Sequence, residues 1–173
     1  MGWIILAIVV ILVIAIISMY NGLVSARVKV DNAWSQIDVQ LQRRFDLIPN
    51  FVETVKGYAT HESETFEKIT KLRTSWASAG TVAEKAELDN QLSGALKTIM
   101  AVSENYPDLK ANQNFSELSE ELRNTENKIS FSRQFYNDSV TMYNQKLQLF
   151  PSNIIAGMFN FQPRELFAVE NAE

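Results

Sequence analysis

The stretch that decides the fold is VDNAWSQIDVQLQRRFDLIPNFVETVKGYA, residues 30–59. Its apolar residues recur at steps of three and four, the pattern of a helix with one buried stripe. They are Val30, Trp34, Ile37, Leu41, Phe45, Ile48, Val52, Val55 and Ala59. Pro49 predicts a kink, because proline removes the hydrogen bond to the carbonyl of Phe45. The stripe predicts the first helix of a bundle, with Trp34 in its core.

Toward the N-terminus the same helix is expected to continue into a long apolar run. From Trp3 to Met19 there is no charged residue. About 18 to 20 such residues cover roughly 30 Å, the thickness of the hydrocarbon core of a bilayer. Only Asn21-Gly22 interrupts the path to the stripe, so we expect one continuous helix whose residues 1–22 span a membrane. The alternative is a signal peptide cleaved after 24–26, although no basic residue precedes the run.

Basic residues follow the span closely and none precedes it. By the positive-inside tendency, Arg27 and Lys29 predict a single-pass protein of the cell membrane, with its N-terminus outside and its bundle in the cytoplasm. Asp31 partly offsets these two charges, so an outward-facing bundle stays an alternative. The net charge of −4 disfavours nucleic acid as a partner, because a negative surface repels phosphate. The chain has no cysteine, which excludes disulfides, thiolate nucleophiles and the common structural zinc sites.

Two further helices follow the stripe in the direction of the C-terminus. Thr60 is the expected N-cap of the second helix, and Gly80 is its expected stop. Thr81 and Glu84 have the spacing of a capping box for the third helix. The apolar residues of the second helix are Phe66, Ile69, Leu72 and Trp76. Those of the third step as heptads, as in coiled coils, and are Leu88, Leu92, Ala95, Ile99 and Val102.

The fourth predicted helix carries more apolar residues than one stripe needs. Asn114 and Glu117 are expected to cap it, and Phe150-Pro151 to end it. One side holds Leu118, Leu122, Ile129, Tyr136, Val140, Tyr143 and Leu147. Four more apolar residues widen that side, and these are Phe131, Phe135, Met142 and Leu149. A helix that is apolar on more than one face needs more than one neighbour.

These elements predict an all-α protein, an up-and-down four-helix bundle preceded by one N-terminal transmembrane helix. The expected boundaries are an anchor at 1–22, the bundle at 23–150 and an apolar tail at 151–173. Ile154, Phe159 and Phe167 belong to this tail, which would expose an apolar patch if it stayed in water. Three arrangements stay open: the tail packs on its own bundle, on another subunit or on lipid.

The sequence resembles the LemA family over nearly its whole length. One matching block comprises residues 32–44, 46–50 and 53–58. A second comprises 114–115, 121–122, 125–129, Arg133, 136–137, Val140, 143–144 and 150–153. The resemblance implies an N-terminal membrane helix followed by a four-helix bundle, and no assigned catalytic activity. The magnetosome-associated relatives imply a role in organising membranes or membrane complexes, although a shared fold need not mean a shared function.

Two groups of polar residues are candidate sites. His61 precedes Glu62, Glu64 and Glu67, but carboxylates in a first helical turn complement the helix dipole and need no metal. Polar residues also step along the first and fourth helices. They are either a solvated face or an inter-helix network, which would pair Arg43 or Arg44 with Glu126, and Asp38 or Asp46 with Arg133. No nucleophile has an adjacent base, so we assign no catalytic, cofactor-binding or metal-binding residue and no cofactor.

The function predicted from these patterns is that of a non-catalytic scaffold or interaction module at a membrane. Its expected partners are the lipid bilayer, further copies of the chain and other membrane proteins. The alternative is an enzyme or enzyme subunit at the membrane with a carboxylate-rich metal site. Convergence of Glu and Asp side chains in one concave site would favour that alternative.

Overall fold

Helix α1 runs without a break from Gly2 to Lys56 in the computed structural model, which describes residues 1–168. Neither Asn21-Gly22 nor Pro49 ends it, which confirms the prediction of one continuous helix. The other helices are α2 (Ser63–Ser78), α3 (Val82–Ser103), α4 (Pro107–Lys110), α5 (Gln113–Gln148) and α6 (Ser152–Met158). Residues 1–168 contain no strand, so the fold is all-α as predicted.

The start of α3 is fixed by the predicted capping box. The backbone N–H of Glu84 donates to the Thr81 hydroxyl at 3.1 Å, and the backbone N–H of Thr81 donates to the Glu84 carboxylate at 3.3 Å. The N–H of Gly80 donates to the same carboxylate at 2.9 Å. These bonds to the charged form lower the pKa of Glu84, so the box is complete at neutral pH.

Two other helix starts differ from the prediction. Helix α2 begins at Ser63, with Glu62 rather than Thr60 at the N-cap position and no side-chain capping bond. Helix α5 begins one residue before Asn114, because the side-chain oxygen of Asn112 accepts from the backbone N–H of Phe115 at 3.0 Å. Both differences are only a few residues, and sequence patterns do not define a helix boundary more closely than that.

The chain divides into two compact units, each of which has its own interior. The terminal unit comprises Met1–Ser35 and Gln134–Leu166, and therefore holds the N-terminal part of α1, the C-terminal part of α5, and α6. The bundle unit comprises Gln36–Arg133 and, among the described residues, 167–168. It holds the remainder of α1 and α5 together with α2, α3 and α4.

Four helical segments of the bundle unit direct their apolar stripes inward. The predicted stripe positions from Ile37 to Val55 are all buried, and the Phe45 and Trp76 rings stack with centroids 4.4 Å apart. On α3, Leu92, Ala95 and Ile99 are buried as predicted, whereas Leu88 and Val102 are half-buried. The neighbouring Asp89 is buried in place of Leu88, so the inner face of α3 includes a charge.

In the terminal unit, α1 is covered only from Met19 onward. Residues 1–18 are all exposed, whereas Leu23 and Val30 are buried. Within residues 1–168, α1 is the one helix long and apolar enough to cross a membrane. The prediction that Trp34 is a core residue is wrong. Trp34 is half-buried beside the Tyr136 ring, and the neighbouring, smaller Ala33 is buried instead.

Candidate functional site

A buried ion pair lies in the interior of the bundle unit. The Arg44 guanidinium donates to the Asp89 carboxylate, and both residues are at most 3% exposed. Arg44 also donates to the Ser93 hydroxyl at 2.9 Å, and its Nη2 lies 3.9 Å from the carboxylate of Glu126. Helices α1, α3 and α5 therefore each supply a polar group to one network.

Breaking this network is expected to lower the free energy of unfolding. Burial raises the pKa of Asp89, and the nearby positive charge of Arg44 opposes this rise. Removing either partner leaves the other charge buried and uncompensated. Such pairs fix the register of packed helices more reliably than they add stability. We therefore assign this network a positioning role within the bundle.

Of the predicted inter-helix pairs, the pair of Arg44 with Glu126 is confirmed, whereas the pairing of Asp38 or Asp46 with Arg133 is wrong. Arg44 approaches Glu126, as predicted, although its closest acidic partner is Asp89. Asp38 accepts from Lys85 at 2.6 Å instead of pairing with Arg133. Asp46 accepts from Gln42 at 3.0 Å, within the same helix. Sequence analysis missed Asp89, although its spacing of three from Leu92 places it on the apolar stripe of α3.

A small cavity lies between α1, α3 and α5 of the bundle unit. Its volume is about 240 Å³, and Ser93 and Glu126 of the Arg44 network belong to its lining. Phe51, Leu96 and Leu122 supply apolar walls. Sites for drug-sized ligands usually have about 300 to 1,000 Å³, so this cavity is below the usual size.

An acidic groove runs between α1 and α5 of the bundle unit. It has a volume of about 750 Å³, and its lining includes Glu53, Glu117, Glu120 and Glu121. Arg43 neutralises one of these carboxylates, because its guanidinium donates to Glu121 at 2.9 Å. Among residues 1–168, no three Asp, Glu or His side chains come close enough together to hold a metal ion. The groove therefore contains the carboxylates that the alternative, a metal-dependent enzyme, would need, but they are not arranged to bind one metal ion.

The candidate residues at the start of α2 are solvated. His61, Glu64 and Glu67 are exposed, and Glu62 is half-buried. Glu64 lies in the first turn of the helix, where its charge complements the helix dipole. This position needs no ligand to explain it.

In the terminal unit, α5 holds the C-terminal segment by three side chains, which we call the tail clamp: Tyr136, Tyr143 and Asn144. The Tyr136 hydroxyl donates to the Glu165 carbonyl at 2.7 Å, and the Tyr143 hydroxyl donates to the Gln162 carbonyl at 2.8 Å. Burial raises the pKa of both phenols further above neutral pH, where the hydroxyls are already protonated and can donate.

Asn144 completes the clamp with two bonds to one residue of the tail. Its amide donates to the carbonyl of Arg164, and its side-chain oxygen accepts from the N–H of Arg164, both at 3.0 Å. The Arg164 guanidinium in turn donates to Asp31 on α1. Residues 161–166 thus fold back onto α1 and α5 within this unit, which is the first of the three arrangements that the sequence left open.

The terminal unit also leaves large apolar side chains exposed. Besides residues 1–18 of α1, they include Phe135, Met142 and Leu149 on and just after α5. The fourth helix was predicted to be apolar on more than one face, and its second face is uncovered in the single chain. Phe150 and, in the tail, Ile154 and Met158 form a second exposed group, whereas Ile155 and Phe161 of the tail are buried.

Comparison with known proteins places the sequence in a family. The model described as LemA family matches residues 33–173. Protein LemA of Metamycoplasma hominis is 27% identical, covering 88% of this chain and 70% of that protein. Magnetosome protein MamQ 2 of Paramagnetospirillum magneticum and Magnetosome protein MamQ of Magnetospirillum gryphiswaldense are each 25% identical, covering 86% of this chain. The chain spans 64% of the length of each of these two magnetosome proteins.

Proposed function

Because the chain belongs to the LemA family, we propose that it is a single-pass membrane protein whose helical bundle is a non-catalytic interaction module. The observation that carries this proposal is the division of α1. Its first 18 residues are apolar and exposed, whereas the buried stripe begins at Leu23. An apolar surface of this length is unstable in water, and a bilayer covers it.

Membrane extraction tests the anchor. The full-length protein should stay with the membrane fraction in alkaline carbonate and in high salt, and its intact mass should include the apolar run. Release by carbonate, or a mature chain that begins near Arg27, would instead support a cleaved signal peptide.

The orientation is part of the proposal, with the N-terminus outside and the bundle in the cytoplasm. The absence of native cysteine allows one exposed cysteine to report on it, for example Asn105→Cys. A membrane-impermeant maleimide should label this variant only after the cells are permeabilised. Labelling of intact cells would place the bundle on the outer side.

Self-association is the interaction that the exposed face of α5 supports best. Phe135, Met142 and Leu149 are 46%, 54% and 61% exposed, and they recur at intervals of seven. Side chains at this spacing lie along one edge of a helix and suit a contact with a second helix of the same kind. Since every anchor enters one bilayer in one direction, the copies would form a ring or cluster around an axis normal to the membrane.

The mass of the full-length protein in mild detergent tests self-association. The wild type should be an oligomer, and Met142→Asp should reduce it to a monomer because a charge would be buried in the contact. Val39→Asp is the matched control, since Val39 is a 64% exposed apolar residue on α1. A monomeric wild type contradicts the proposal. Phe167→Asp is unsuitable as a probe because Phe167 is buried.

Other membrane proteins are the second class of partner in this proposal. Chemical crosslinking in native membranes, followed by identification of the captured chains, separates the two classes. Crosslinks only between copies support a structural assembly, whereas one constant second protein supports an accessory subunit. The enzymatic alternative would use the acidic groove, where four glutamates converge as that alternative requires, but within residues 1–168 no three acidic or histidine side chains come close enough together to hold a metal ion.

A further inference from the structure

Other parts of the chain begin to pack against α1 where its apolar run ends. Met19 is the last residue of that run, and Met19 and Tyr20 are the first half-buried residues of the helix. Leu23, one turn later, is 1% exposed. If the run spans a bilayer, as proposed above, the elements that cover Tyr20 lie at the level where the helix leaves the hydrocarbon core.

Those elements are the end of α5 and the residues that follow helix α6. The Phe159 and Phe161 rings lie 4.7 and 5.9 Å from the Tyr20 ring, measured between centroids. The Lys146 ammonium lies 3.9 Å from the position that a Cβ would occupy at Gly22. Both ends of the segment that contains α6 are thus held beside one turn of α1.

Helix α6 has a fixed geometry. The N–H of Phe161 donates to the carbonyl of Ala156 at 2.9 Å, and Asn160 has a positive φ of 55°. These are the marks of a Schellman motif, in which a residue in the left-handed conformation ends a helix. Asparagine tolerates this conformation better than most residues. The tail clamp then holds the chain that follows.

This fixed segment presents apolar side chains to its surroundings. Phe150, Ile154 and Met158 are 78%, 51% and 67% exposed and recur at steps of four, and Phe159 beside them is 51% exposed. Ile154 and Met158 are four residues apart within α6 and therefore lie on the same face of that helix, and Phe150 lies just before it. An exposed apolar stripe on a short, rigid segment needs a partner surface.

The charges near this segment favour a lipid surface as that partner. The acidic chain carries 20 Asp and Glu residues, yet none occurs in residues 1–30 or 139–164. Lys146 lies beside Gly22 of α1, and the Arg27 guanidinium lies 4.8 Å from the centroid of the Phe161 ring, just after α6. Basic residues and aromatic rings are enriched where proteins meet lipid headgroups.

We propose that residues 150–159 form an interfacial segment, which inserts Phe150, Ile154 and Met158 into the same bilayer leaflet from which α1 emerges. The proposal rests on the membrane-spanning role of α1 given above. An interfacial helix of this kind buries its apolar face about 5 to 10 Å into the boundary between headgroups and acyl chains. It would fix the tilt and rotation of the anchor, because a second contact with the bilayer restricts both.

Nitroxide labels on single cysteines test this segment in the full-length protein, reconstituted in vesicles of phosphatidylcholine and phosphatidylglycerol. The labelled variants are Ile154→Cys and Met158→Cys. Val9→Cys in the apolar run is the lipid reference, and Val39→Cys, 64% exposed and 19 residues beyond Tyr20 on α1, is the aqueous reference. Collision rates with oxygen, which concentrates in lipid, and with a water-soluble nickel chelate report the depth of each label. Circular dichroism checks that each variant folds.

We expect the ratio of oxygen to nickel-chelate collisions at Ile154 and Met158 to lie well above the ratio at Val39 and below that at Val9. A ratio equal to that at Val39, with Val9 still in lipid, would overturn the interfacial segment and leave the anchor intact. An aqueous ratio at Val9 would overturn the anchor itself. Low collision rates with both reagents at Ile154 and Met158 would show that protein covers them, which would also overturn the proposal in favour of a second copy.

Discussion

The terminal unit and the bundle unit depart from the usual distribution of side chains in opposite ways. The terminal unit exposes large apolar side chains, such as Met142 and Met158, while its tail is held by hydrogen bonds to backbone groups. The bundle unit buries its apolar stripes and, with them, the charges of Arg44 and Asp89. The bundle unit thus keeps these two charges inside, whereas the terminal unit leaves exposed the apolar side chains on which the proposed contacts with lipid and with further copies depend.

The largest expected effect lies in the buried pair. Arg44→Ala should lower the free energy of unfolding by about 3 to 5 kcal/mol, because it leaves Asp89 buried without its partner. Arg43→Ala is the matched control, since its pair with Glu121 is 44% exposed on both sides, and it should cost about 0.2 to 1 kcal/mol. Denaturant unfolding of the full-length protein in detergent, followed by circular dichroism, measures both. Equal losses for the two arginines would contradict the claim that the bundle unit depends on its buried charge pair more than on its exposed one.

A smaller contrast is expected between two aromatic side chains on α1. Phe45→Ala should cost about 3 to 5 kcal/mol, because Phe45 is 1% exposed and stacks on Trp76. Trp34→Ala in the terminal unit should cost roughly half of that, about 1.5 to 2.5 kcal/mol, because Trp34 is only half-buried. The same unfolding measurement compares them. A larger loss at Trp34 would mean that the terminal unit depends on its interior more than its burial indicates.

The pH dependence of stability should distinguish the buried carboxylate from the exposed ones. Burial raises the pKa of Asp89 above its unfolded value of about 3.9, so the folded state binds the proton more tightly. The contribution of Asp89 is therefore fully present below that unfolded pKa and is lost as the pH rises through the raised pKa. The free energy of unfolding of the wild type minus that of Asp89→Asn should therefore fall as the pH rises over this range. A value that rose with pH would contradict a raised pKa of Asp89.

The smallest effect is expected at the exposed apolar side chains. Met158→Ser should change the free energy of unfolding in detergent by no more than about 0.5 kcal/mol, because the side chain is 67% exposed. Unfolding in the same detergent as for the arginine variants makes the values comparable. A loss of several kcal/mol would show that Met158 belongs to the folded interior and would weaken its assignment to an interaction surface.

Local patterns predicted much of this architecture. The continuity of α1, the Thr81–Glu84 capping box and the inward stripe from Ile37 to Val55 depend on residues within a few turns of one another. The helix starts near Thr60 and Asn114 were less well predicted, since several neighbouring polar residues can serve as caps. The tail clamp was not predicted, because Asn144 bonds Arg164 across 20 residues and no local period records such a contact.

The sequence by itself determined that the protein is helical, that residues 3–19 are apolar, and that it resembles the LemA family. Tertiary structure alone decided that Arg44 is buried while Arg43 is exposed, and that Tyr136 is buried while Phe135 is exposed. Successive residues of a helix point about 100° apart, so two neighbours of the same chemical kind differ in their environment. Which of them is buried depends on where the next helix lies, and that position is set by packing across the whole unit.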